Sequence, residues 1–395
     1  MPTFYNYTEN GVVYSLDDVL VSSDLFREGS LWAAGRNAHA QLGFGSTSEF
    51  RSVPDFVPAG SSWKEVSPGL LSSAAIKTDG TLWVWGNNSF GQLGLNLGAG
   101  NLLQISQVGT ERTWRTVSSG RGHVAAIKTD GSLWTWGQND AGQLGDNTII
   151  QRSTPVTTFT GGNNWKSVSA GFKHTIATKT DGTLWAWGLN TYGALGNNIN
   201  AIDASTPVTT FAGGNNWVQV TAGSYGSAAI KTDGSLWTWG VSYACGIGTF
   251  GAGSGDRSTP VTTTAGGNNW KQVSMGYLHA SAIKTDGTLW TWGYNGNGQL
   301  GLNQVGGVAV DPLRVGTNSN WKQVACGVDH VAAIKTDGTL WVWGGNQLGQ
   351  LGVRDVNVNV LTPVTTFAGK NNWKRVSAGH SNQQIMSITY EDNYP

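Results

Sequence analysis

Along nearly its whole length the chain alternates apolar and polar residues in short runs, broken by glycine, asparagine or an Asp-Gly pair. Alternation with period two puts successive side chains on opposite faces of a strand, and Asp-Gly between two such runs marks a hairpin. One stretch shows the pattern in full: PVTTF (155–159), WKSVSA (165–170), HTIATKT (174–180), an Asp-Gly turn, then TLWAWG (183–188). Four short strands are predicted there.

The same pattern returns around the chain. GTLWVWGNNSFGQLG (80–94), GSLWTWGQNDAGQLG (131–145) and GTLWAWGLNTYGALG (182–196) are followed by GSLWTWG (234–240), GTLWTWGYNGNGQLG (287–301) and GTLWVWGGNQLGQLG (338–352). A degenerate first copy, GSLWAAGRNAHAQLG, occupies 29–43. A second motif, of the type WKSVSAG, also occurs seven times, beginning at Trp63, Trp114, Trp165, Trp217, Trp270, Trp321 and Trp373 with a period of 51 to 53 residues. All 20 tryptophans fall in these two motifs. A fixed period of this length means stacked supersecondary units, none of which buries its apolar faces alone.

The two indoles of LWxW sit two residues apart and project from one strand face. Burying each is worth roughly 4–5 kcal/mol before entropy is charged, so they are read as the packing between neighbouring sheets. The small Ser-Ala-Gly run suits a strand near a crowded axis. The first copy holds only the LWxxG half of a unit, and the last, ending near Tyr390, holds only the WKxVSAG half. The fold predicted is therefore all-β: a seven-bladed β-propeller closed by strands from both termini, which removes exposed sheet edges. The expected division is 1–26 as an N-terminal docking extension, 27–390 as the propeller (one blade closed by 27–43 with 353–390), and 391–395 as a tail.

The GxLWxWGxNxxGQLG unit, preceded by SAGxxHxxAIKTDG, resembles the regulator of chromosome condensation repeat family over roughly 27–390. The resemblance implies a seven-bladed propeller whose loops recognise a protein partner. Its members include an exchange factor for the Ran GTPase, domains of ubiquitin ligases and a bacterial β-lactamase inhibitor, and fold alone does not choose among such roles. This chain lacks the exchange factor's basic tail, and the segments from GQLG to the next tryptophan are too short for its wedge-like hairpin.

Composition narrows the picture. The 24 Lys plus Arg balance 24 Asp plus Glu, and charged residues are only 12% of the chain, which argues against a nucleic-acid partner. No apolar run approaches a membrane span, and the N-terminus lacks the basic start and apolar stretch of a secretory signal. Cys245 and Cys326 occupy unrelated places in the repeat, so neither a disulfide framework nor a metal-ligand spacing is present. No nucleophile elbow, phosphate loop or paired acids stand out. No enzyme activity and no cofactor are expected.

Repeated polar residues are read structurally. His123, His174, His279 and His330 share one place in the repeat, held elsewhere by Ser72, Gly226 and Asn382, and are expected to hydrogen-bond between blades. The Lys-Thr-Asp-Gly turns, with Lys77, Lys128, Lys179, Lys231, Lys284 and Lys335, read as solvated hairpins whose aspartates are satisfied locally. Variation against this constant frame is where recognition would be stored. One variable pair follows the SxG triplet and supplies Arg121, Phe172, Lys173, Tyr225, Tyr277, Asp329 and the pair His380-Ser381. A second variable set follows the WG dipeptide and includes Arg36, His39, Phe90, Asp140, Tyr192, Tyr243 and Tyr294. Exposed aromatics with Arg are the usual anchors of protein interfaces, and Tyr can also stack on sugars, so a host-surface protein or a glycan are further candidate partners.

Two functions compete at this level. The neutral, Asn/Thr/Gly-rich body, the missing secretion signal and the strand-like leader NGVVYSLDDVLV, similar to short leaders of phage particle proteins, point to a non-enzymatic structural and recognition component of a bacteriophage virion (tail, baseplate or fibre). In that reading Val12, Val13, Tyr14 and Leu16 dock into a neighbouring virion subunit. The alternative is a soluble cellular regulator, cytoplasmic, that binds one protein partner as an exchange factor or enzyme inhibitor does.

Overall fold

Seven antiparallel sheets of four strands each succeed one another around a central channel. The computed structural model describes residues 7–9, 12–14, 29–248, 255–379 and 383–390, and one 3-10 turn, Ser242–Ala244, is the only helix among them. In one blade the innermost strand is Trp165–Ala170, followed outward by His174–Lys179, Leu184–Gly188 and Ala204–Thr209. The predicted strand at 155–159 instead belongs to the preceding blade, as its outer strand Arg152–Thr157. The unit read along the sequence is thus shifted by one strand against the blade, because the chain crosses to the next sheet after each outer strand.

The seventh blade is ordered Trp373–Ala378, Gln384–Thr389, Leu31–Arg36, Phe50–Phe56, two strands from each end of the chain. Its register pairs Leu31 with Ile388 and Gly35 with Gln384. Trp32 and Trp373 meet edge to face at 5.9 Å within this one sheet. The same one-strand shift moves its expected boundaries: Val360–Thr365 closes the sixth blade, and Phe50–Phe56 completes the seventh.

Tryptophan does two jobs. The second indole of each LWxW is fully buried and reaches across to the previous blade: Trp187 Nε1 donates to the Gln143 carbonyl at 2.9 Å, as Trp136 does to that of Gln92. The first indole stays within its blade and donates to the hydroxyl after the Asp-Gly turn, which in turn donates to the turn aspartate: Trp185 to Thr183, Thr183 to Asp181. That relay explains why Asp-Gly is always followed by Thr or Ser. It also holds the Asp79 and Asp130 carboxyls below their usual range, first through the hydroxyls of Thr81 and Ser132.

The turn lysines are a correction to the sequence reading. They form no ring of solvated charge, because each ammonium sits between two indoles. Lys179 Nζ lies 4.8 Å from the Trp165 ring centre and 4.5 Å from that of Trp185, and the arrangement recurs at Lys77, Lys128, Lys231, Lys284 and Lys335. The indole faces are electron-rich, and the alkyl stem covers apolar surface on the way. Burial pulls the Lys77 and Lys335 ammonium groups below their usual range, with Asp79 and Asp337 opposing.

Side chains also tie the innermost strands together. Gln219, Gln272 and Gln323 each bond both ways to the next inner strand: Gln219 donates to the Val273 carbonyl at 2.9 Å and accepts from its N–H at 3.0 Å. Ser67, Ser118, Ser169 and Ser274 accept a backbone N–H from the neighbouring strand at 2.8–2.9 Å. Glu65 takes the glutamine's place in the first blade and receives both Thr116 Oγ1 and the Val117 N–H. These strands line a channel cavity of about 330 Å³.

Two of the four repeated histidines bridge blades, while His330 instead stands 3.5 Å from Asp329, its neighbour in the chain. His123 Nε2 meets Thr175 Oγ1, and His174 Nε2 meets Ser227 Oγ, both at 3.0 Å. In the seventh blade the equivalent residue is Gln384, not Asn382: Gln384 faces Gly35 as His123 faces Gly137, and it donates to Ser73 Oγ at 3.3 Å. Asn382 lies outside the described residues. At His279 the receiving position is Val331, and neither ring nitrogen has a hydrogen-bond partner among the described residues. Val331→Thr is expected to supply one and to donate onward to the Gln299 carbonyl, as Thr175 does to Gln143. A stabilisation of about 1 kcal/mol in urea unfolding is expected; a loss of stability would refute this account of the seam.

Candidate functional site: an aromatic face

The second strand of each blade starts opposite the end of the third, so His123 pairs with Gly137 and Gly226 with Gly240. Residues just before the one and just after the other therefore emerge at the same end of the blade. The two variable sets consequently share one face of the ring, and they touch there. Lys173 Nζ meets Asp140 Oδ2 at 2.5 Å, and Tyr192 packs on Tyr225.

An arc of side chains follows from blade to blade. Phe90 lies against Gly122, whose added Cβ would come within 3.0 Å of the ring. The Arg121 guanidinium stacks 4.6 Å over Phe172. Phe172 then meets Tyr225 at 5.4 Å, and Tyr225 receives Tyr192 at 5.3 Å and Tyr277 at 5.6 Å, both edge to face. Edge-to-face pairs of this kind are favourable beyond the area they bury and hold the rings in fixed orientations. Burial, and after it the neighbouring phenol of Tyr277, pushes the Tyr225 hydroxyl above its ordinary range, with Arg121 opposing. Tyr192 is the most open member, at 36% exposure.

Other candidates from the sequence are placed differently. Asp329 is buried rather than presented: it accepts from Gln350 Nε2 and Asn297 Nδ2 at 3.3 Å each and stands beside His330. Tyr243 packs against the core cluster of the fourth and fifth blades. Tyr294 is exposed, with its hydroxyl folded over Gly296. The strand Val12–Tyr14 pairs with Tyr7–Glu9 as a separate hairpin; Leu16 and the pair His380-Ser381 lie outside the described residues. Among the described residues no three His, Cys, Asp or Glu side chains come together as a metal-ligand group, and no helix is long and apolar enough to cross a membrane. Both thiols are buried, which pushes Cys245 up to about 12 and Cys326 up to about 11, well away from reactive thiolates.

Fold and face together define a repeat propeller with a variable face on a repeated frame. Five stretches, 79–127, 130–178, 181–230, 286–334 and 337–382, match the Regulator of chromosome condensation (RCC1) repeat. The chain belongs to that family. It is 30% identical over 340 residues to Ultraviolet-B receptor UVR8 of Arabidopsis thaliana, covering 81% of this chain and 73% of the receptor. It is 26% identical over 359 residues to the human E3 ubiquitin-protein ligase HERC2, covering 88% of this chain but 7% of the ligase. In fold it superposes on human WBSCR16 with a TM-score of 0.80 at 20% identity, covering 93% of this chain and 100% of that one. Yeast RCC1 (Prp20), solved bound to Kap60, gives 0.82 at 18% identity, covering 93% and 91%.

Proposed function

We propose that this chain is a non-enzymatic regulator that holds one protein partner against its aromatic face. The observation that carries the reading is the contiguous arc from Arg121 through Phe172 and Tyr225 to Tyr277, assembled on an otherwise repetitive ring. Rigid aromatics beside an arginine give large contact area at small entropic cost, as in the anchor clusters of protein interfaces. The relatives support it: they are cellular proteins of plant and animals, among them a receptor and a nematode GTPase regulator homologue, and yeast RCC1 holds a protein partner in its solved complex. They favour this role over the virion component suggested by composition and leader.

Residues 1–26 are proposed as a separate docking extension, with Val12, Val13, Tyr14 and Leu16 as its contacts. The test is affinity capture with the purified chain, with Phe172→Ser/Tyr225→Ser and with a chain lacking 1–26. The expected outcome is one predominant protein, depleted about tenfold or more by the double substitution, and a truncated chain whose ring still unfolds at the wild-type temperature. Recovery of the chain within purified virus particles, with the double substitution without effect, would restore the virion reading.

A further inference from the structure

Resting on that binding role, we infer that Arg121 selects a partner segment carrying acidic side chains, a carboxylate seating on the guanidinium and its apolar neighbours on Phe172, Tyr225 and Tyr277. The first ground is charge. Two cations at this end of the blades are matched: Lys173 by Asp140 at 2.5 Å and Arg152 by Asp146 at 2.8 Å. Arg121 has no carboxylate partner among the described residues; what it touches is the Phe172 ring. Asp140 is already engaged by Lys173, and Asp329 is buried in its own amide network. One positive charge is therefore left uncompensated beside the arc.

The second ground is geometry. The Arg121 guanidinium lies 4.6 Å over the Phe172 ring with no carboxylate bonded to it among the described residues, and a guanidinium matches a carboxylate with two parallel hydrogen bonds. Flanking rings exclude water and strengthen such a pair. The same packing disfavours a sugar, which needs an open ring face. Tyr225 has Phe172, Tyr192 and Tyr277 around it at 5.3–5.6 Å, tilted or edge to face. A polyphosphate backbone would need several cations in a row, whereas the chain as a whole is neutral.

The experiment selects peptides from a random library displayed on yeast, using the purified full chain as wild type, Arg121→Gln, Arg121→Lys and Tyr225→Ser. Loop-edge substitutions of this kind are checked for folding by thermal unfolding. The wild-type pool is expected to enrich Asp and Glu next to aromatic or aliphatic residues. Affinity for a selected peptide, read by fluorescence anisotropy, should fall about tenfold or more with Arg121→Gln and less with Arg121→Lys. Added salt should weaken the wild type and leave Arg121→Gln unchanged. A wild-type pool without acidic enrichment, or identical pools for wild type and Arg121→Gln, overturns acid selection; if Tyr225→Ser still abolishes binding, the face stands as a docking surface. Pools indifferent to both substitutions, or no enrichment at all, overturn the face as well.

Discussion

Trp187→Ala is expected to destabilise the ring by about 3–5 kcal/mol, the range for losing a large buried side chain. The indole is fully buried, 6.0 Å from Trp165 in its own blade, and hydrogen-bonded to the Gln143 carbonyl of the blade before. Gly145, at φ 68°, has no room for a side chain: an added Cβ would lie 2.8 Å from Trp187 Nε1. Two blades have therefore been shaped around one ring, and neither collapses easily into the space it leaves. The Gln143 carbonyl keeps a second donor in Thr175 Oγ1 at 2.9 Å, so the loss is mostly packing. Trp187→Phe should cost clearly less, and Trp185→Ala, at a half-buried position bonded only within its turn, should fall in between. Urea unfolding followed by circular dichroism measures all three. If Trp187→Ala cost under about 1 kcal/mol, the indoles would not be what joins the blades.

Nature has made a related change at the closing blade. Ala34 stands where the other blades carry the inter-blade tryptophan, and Pro54 moves in beside Gly352, where an added Cβ would meet the proline ring at 2.6 Å. A residual cavity of about 10 Å³ remains, lined by Ala34, Pro54, Leu340 and Leu351. Lys370 supplies the cation over Trp32 at 5.0 Å, in place of the turn lysine this blade lacks.

The second large effect is acid sensitivity. Burial, and then the neighbouring His330, holds His279 at about 3, against about 6.5 in an unfolded chain. Above about 6.5 the imidazole is neutral in both states and costs nothing. Below it, the unfolded chain takes up a proton that the folded one refuses, so stability falls as pH falls from about 6.5 towards about 3, by about 1.4 kcal/mol per unit. Between pH 7 and pH 4.5 a loss of about 2–3 kcal/mol is expected from this residue. His279→Ser should flatten that slope, and the fold already accepts serine at the matching place, Ser72. A wild-type stability that stays level between pH 6.5 and 4.5, or a variant with the same slope, would remove His279 as the cause.

Much of this molecule was legible in its linear pattern. Seven blades, closure by both ends and tryptophans between sheets all follow from motifs written seven times over, because one unit leaves apolar faces that only a neighbour covers; the histidine bridges hold at His123 and His174 but not at His279 or His330. Local rules also foresaw the Asp-Gly hairpins. They failed for the lysines, since a turn lysine is solvated unless two indoles happen to flank it, and that depends on register: Trp165 pairs with Lys179 across the two inner strands, a contact between residues 14 apart that the motif alone does not announce. They failed too at Asn382, where extra residues before the closing strand moved the bridging role to Gln384.

The recognition face was only half visible. Variation singled out Arg121, Phe172, Tyr192, Tyr225 and Tyr277 one by one, yet spacing of about fifty residues says nothing of which neighbours touch. The sequence by itself determined the frame, because hydrophobic period and turn chemistry act over a few residues. Only the tertiary structure decided that the rings form one arc with an unmatched arginine beside it, and that Asp329 is sealed inside, because those facts depend on the angle between blades and on what each side chain finds across the gap.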